Sequence, residues 1–145
     1  MGLFSKKNEN NKKSETNKVP APTWSYSNGN RALKILTLDD IKNGEITFPK
    51  QLIKFFDLNG SKINDDQEVN IKFLKGDYIF IVKLIEQTKG YMKFEEDFRQ
   101  TLFGVYYSIN RDNGGGSVYI DFVKVCKGNY QIKVGVAKNT KSIWE

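Results

Sequence analysis

Histidine is absent from this chain, cysteine occurs once, at Cys126, and arginine only at Arg31, Arg99 and Arg111. Each shortage closes a class of chemistry. Without imidazole the commonest general base, the Ser-His-Asp relay and most zinc chemistry are lost. One cysteine forms neither an intrachain disulfide nor a zinc-binding pair, which fits a reducing compartment. No apolar run approaches the roughly 18 residues of a spanning helix, and no secretory pattern follows Met1, so a soluble, cytoplasmic protein without a membrane partner is expected. All but three of the 23 basic residues are lysine. With abundant Asn and Ile this suggests AT-rich coding, hence a low-GC bacterium, a phage or a plasmid.

What is present is enough for one folded domain: 145 residues, 39% hydrophobic and 13% aromatic. The net charge of +6 is unevenly spread. Met1 to Lys18 holds five lysines against two glutamates, whereas Asp39 to Asp97 holds nine lysines against twelve acids. From Phe98 onward bases again exceed acids, seven to three. Residues 1–23 are polar, rich in Lys and Asn, and end in Pro20-Ala21-Pro22, which reads as a disordered arm with a stiff spacer. Residues 24–145 read as a single β-barrel-like domain.

Within that domain, Ala32 to Leu36 and Glu45 to Phe48 look like short strands. Pro49 suits the first turn of a helix carrying Leu52, Ile53 and Phe56, which Asn59-Gly60 would stop. Val69, Ile71 and Phe73 alternate on one strand. Lys75-Gly76 turns into a second, Asp77 to Ile85, that is apolar on both sides and so expected to be covered on both. Phe94, Phe98 and Leu102 give a second short helix stopping at Gly104, with Val105 to Asn110 as a strand beyond it. Asp112 to Gly116 reads as a loop, and Ser117 to Val125 pairs with Asn129 to Val136 across Cys126-Lys127-Gly128. The pattern predicts a mainly β chain, about seven strands in a pseudobarrel with two short helices at its ends.

Catalysis finds few parts. Asp39-Asp40, read at a strand end, would point to opposite faces and could not act as a dyad. Asp40-Ile41-Lys42 spells the Asp-x-Lys of metal-dependent nucleases, but the upstream acids are only Glu9 and Glu15 in the polar arm. A turn carboxylate capping backbone N–H groups explains the same letters. The acids Asp65, Asp66 and Glu68 lack calcium-loop spacing, and Asp112 to Gly116 lacks the Lys-Ser/Thr of a phosphate loop. No enzyme, cofactor or metal is expected. Lysines interleaved with aromatics remain: Lys83, Lys89, Tyr91 and Lys93, then Lys124, Lys127, Lys133, Lys138 and Lys141 as a stripe or a solvated face.

The stretch Leu36 to Phe56, LTLDDIKNGEITFPKQLIKFF, carries Leu36-Thr37, Asp40, the polar Lys42-Asn43-Gly44, an apolar strand, and Pro49-Lys50. It resembles the start of the B-three domain, the DNA-binding pseudobarrel of plant transcription factors and of the N-terminal part of EcoRII-type restriction endonucleases. The match extends over about Leu36 to Phe103. The resemblance implies two loop arms gripping the major groove of double-stranded DNA. The first would use Lys42, Asn43 and Lys50; the second Lys83, Gln87, Thr88 and Lys89. Lysine suits phosphate, and Asn or Gln suits adenine. The expected function is non-catalytic DNA binding. The alternative is a protein-binding module with a basic tether, using Trp24, Tyr26, Tyr106 and Tyr107 as anchors.

Overall fold

The computed structural model describes residues 24–27, 29–113 and 116–138. The arm expected over residues 1–23, and Lys141, lie outside them. Eight strands form one rolled sheet: β1 (Trp24–Ser27), β2 (Arg31–Leu36), β3 (Glu45–Pro49), β4 (Gln67–Phe73), β5 (Gly76–Glu86), β6 (Lys89–Lys93), β7 (Gly116–Cys126) and β8 (Asn129–Lys138). Their order across the sheet is β1-β2-β7-β8-β4-β5-β6-β3. Every pairing is antiparallel except β8 with β4. The two edges, β1 and β3, are joined by the Trp24 indole N–H, which donates to the Thr47 carbonyl at 2.9 Å. The result is a nearly closed barrel, mainly β, with a helical element at each end.

The interior follows from alternation. Val69, Ile71 and Phe73 on β4, with Phe80, Val82 and Leu84 on β5, are buried as their period-two spacing predicts. The outer side of β5 is not covered: Ile79 is 46% exposed. That corrects the expectation of a two-sided strand, because among the described residues no layer packs outside this wall. Trp24 stacks on Phe122 and meets Phe48 and Phe56 edge-on, so it is a core residue rather than a surface anchor.

Both helices differ from expectation. A short helix, α1 (Leu38–Asn43), stands where a strand end and polar loop were expected. Thr37 and Asp40 form a capping box: the Asp40 N–H donates to the Thr37 hydroxyl at 3.1 Å, and the Thr37 N–H donates to the Asp40 carboxylate at 3.0 Å. Asp40 therefore does cap backbone, as a helix N-terminal residue and not as a strand residue opposed to Asp39. Gly44, at φ 71°, ends the turn. Any Cβ there would stand 2.6 Å from the Arg99 side chain.

The segment after Pro49 is no α-helix; it is a single 3-10 turn, Lys50–Leu52, followed by irregular turns. Helix α2 runs from Glu96 to Asn113, straight through Gly104 and the expected strand Val105 to Asn110. Val105, Tyr106 and Ile109 continue the stripe begun by Phe98 and Leu102 and pack on the core. Tertiary burial thus overrides the β preference of these residues. Among the described residues no helix is long and apolar enough to cross a membrane.

Candidate nucleic-acid interface

One barrel end is closed by residues 50–61, where β2 begins and β3, β5 and β7 finish. Leu52, Ile53, Phe55, Phe56 and Leu58 point inward and are buried, which leaves Lys50, Gln51, Lys54 and Asn59 outward. The plug is fastened by Asp57, itself at φ 61°. Its carboxylate accepts from Lys124 Nζ at 2.7 Å, the Gly128 N–H at 2.8 Å and the Tyr130 hydroxyl at 3.0 Å. That hydroxyl also lies 2.6 Å from the Phe55 carbonyl. Burial pushes the Asp57 carboxyl up, but the bonds from Lys124, Gly128 and Tyr130, with the Lys124 charge, outweigh it and hold the group below its ordinary value. Burial and the Asp57 charge raise the Tyr130 phenol well above its own ordinary value.

Four of the residues expected to touch DNA meet at this end. Lys50 opens the 3-10 turn. Gln87 and Thr88 form the exposed two-residue tip of the β5–β6 hairpin, and Lys89 opens β6 opposite Pro49. With Lys54, Lys50 and Gln87 border an open cleft of about 380 Å³ floored by Ile53, Leu58 and Leu84. Among the described residues its lining holds two lysines and no carboxylate.

Lys42 and Asn43 stand elsewhere, at the last turn of α1, next to the Glu45 end of β3. Four strand steps, roughly 13 Å, separate that end from Pro49. Their surroundings are acidic. Arg99 donates to the Lys42 carbonyl at 3.0 Å and to Glu96, whose carboxyl is held at about 2 by Arg99 and then Gln100. Lys83 lies between the two groups on the outer wall. Its ammonium sits 5.2 Å from the Tyr91 ring centre and 3.9 Å from Asp66. The Tyr91 hydroxyl donates to Glu45 at 2.6 Å; burial first, and Glu45 second, push it up to about 12.

The late lysines form no stripe among the described side chains. Lys124 is committed to Asp57, Lys127 is in the β7–β8 turn, and Lys133 is exposed on β8. Of the expected protein-binding aromatics, Tyr106 is half-buried and Tyr107 is 61% exposed, stacked on Phe103; the Tyr26 side chain lies outside the description. Sequence reading passed over Arg31 and Lys54. Lys54 was accessible as the i+4 neighbour of Lys50, whereas Arg31 reaches this end only because β2 pairs with β7. No protein-family model, no curated protein and no solved structure matches the chain, so its functional assignment rests on this geometry.

Proposed function

We propose that this protein is a non-catalytic binder of double-stranded DNA that works from the basic end of a pseudobarrel. One observation carries the reading: Lys50, Lys54 and Gln87 line a cleft with no carboxylate among its described lining residues, and Lys89 opens β6 beside it, opposite Glu86. Lysines there neutralise phosphates, and Gln87 offers the amide pair that suits adenine. The Asp57 clasp holds the plug rigid, so little ordering cost falls on binding. The rolled sheet with plugged ends accords with the architecture that the B-three resemblance implies. The Lys42-Asn43 arm stands at the opposite end of β3 from Lys50 and Lys89. Beside the acids of α2 it would set register and preference, and the lysine end would supply affinity.

The test is fluorescence anisotropy with mixed-sequence duplex across a salt series, on the full chain and on a chain lacking Met1 to Lys18. Binding that survives truncation, with a log–log salt slope of about −3 for three neutralised phosphates, is the expected result. Loss of binding with the arm, or no binding at low salt, overturns the reading. A second reading has one observation in its favour: Phe103, Tyr106 and Tyr107 form an aromatic cluster on α2, distant from the lysine end. Such a cluster suits a protein partner, with exposed Tyr107 as its anchor.

A further inference from the structure

Beside the cleft, across Lys54, lies a separate cavity of about 310 Å³, at the lower limit of ligand-sized pockets. Gly29 forms one edge, Leu52 and Phe55 the floor, and Arg31, Lys54 and Lys124 bring three cations, with the Gln51 amide beside them. The two pairs of strands that meet there are fixed in register: Arg31 is opposite Val123, and the Lys124 N–H donates to the Asn30 carbonyl at 2.9 Å. Among the described residues no carboxylate lines the cavity. Asp121 and Asp57 stand behind it and hold Arg31 and Lys124 in place.

The donors left over define the ligand. Arg31 spends one terminal nitrogen on Asp121, which leaves most of its five N–H groups unspent. Lys124 uses two of its three hydrogens, on Asp57 and the Lys54 carbonyl. Lys54 makes no ion pair among the described residues. More than two donors converging in a recess suit a group with three terminal oxygens, which a phosphomonoester has and an internal phosphodiester lacks. The cavity also has room beyond a bare oxyanion. We propose that this cavity binds a phosphomonoester carried on a sugar, either a free nucleotide or the phosphorylated end of a nucleic-acid strand. The inference does not require duplex binding at the neighbouring cleft, although Lys54 borders both, and Gln51 lines this cavity alone.

Calorimetric titration of the full chain at low ionic strength tests it with defined probes: a deoxynucleoside 5′-monophosphate, the unphosphorylated deoxynucleoside, inorganic phosphate, and a single-stranded hexamer with and without 5′-phosphate. Binding of the monophosphate or of the 5′-phosphorylated hexamer, and not of their unphosphorylated forms, is expected. If the mononucleotide binds, the ligand is free; if only the hexamer binds, it is a strand end. Lys54→Glu and Gln51→Glu, both exposed positions, should weaken that binding at least tenfold at unchanged melting temperature, and Lys133→Glu should not. No binding of either phosphorylated probe, equal binding of inorganic phosphate, or indifference to both cavity variants overturns the proposal. Monophosphate binding without duplex binding would sink only the duplex reading; the reverse would sink only this one.

Discussion

Asp57 ties plug to wall through a single carboxylate, and its three donors come from a lysine, a backbone amide and a buried tyrosine. Asp57→Asn keeps a side chain tolerant of positive φ but removes the charge. A loss of about 1–3 kcal/mol is expected, read as a lower urea midpoint at constant slope. Because the folded carboxyl lies below its ordinary value of 3.8, its contribution is complete above that value and disappears as pH falls through the folded value. Wild-type stability should therefore drop more steeply than that of Asp57→Asn on acidification below about pH 4. Leu74 is the opposite case. It sits at φ 57° in the tip of the β4–β5 hairpin, 81% exposed, with a left-handed backbone and little packing in return. Leu74→Asn should stabilise the fold by up to about 1 kcal/mol in the same assay.

At the scale of elements, α2 shows how local signals mislead. Gly104 reads as a helix stop, yet it faces open space, and a Cβ built there meets nothing within 4 Å. Gly104→Ala should raise stability by about 0.5–1 kcal/mol, measured by thermal or urea unfolding, since the helix already passes through it. The hairpins β4–β5 and β7–β8, and the buried face of β4, were legible because alternation and tight turns are local features. Strand β6 was not, because Lys89 to Lys93 is a short Gly-Tyr-Met run between two lysines, with no branched residue. Its Gly90 is there for Phe48: a Cβ would overlap that ring, a constraint visible only when β3 lies alongside. Helix α1 was missed for a different reason. Asp40 reads equally as a turn carboxylate and Thr37 as a strand end, and only together do the two side chains make a capping box.

For the whole molecule, folding regroups the lysines of a net-acidic segment, which no segment sum reveals. Residues 39–97 are net acidic, yet folding brings Lys50, Lys54 and Lys89 to one end, with Glu86 opposite Lys89. Asp39, Glu96 and Asp97 lie on α1 and α2 toward the other, with Lys42 and Arg99 among them. The first arm inferred from the sequence is thus split, Lys42 and Asn43 standing on α1 while Lys50 joins Gln87, Thr88 and Lys89 of the second. Lys50→Glu or Lys89→Glu should weaken duplex affinity for every sequence, whereas Lys42→Glu should cost much less. Asn43→Ala and Gln87→Ala should relax sequence preference instead. Anisotropy competition with duplexes of different sequence checks each, and equal losses from Lys42→Glu and Lys89→Glu would remove the distinction between the ends.

The sheet order also has a consequence for synthesis. Arg31 to Leu36 pairs with Val118 to Val123, so β2 leaves the ribosome long before the strand that covers its flank exists. At about 5–20 residues per second that gap lasts roughly 4–18 seconds. Residues 45–93 need only near neighbours to form the β3-β6-β5-β4 half, while Ala32 and Leu36 wait with their apolar face uncovered. A nascent chain paused before residue 118 is therefore half a barrel with one orphaned hairpin, the form in which this protein most needs a chaperone.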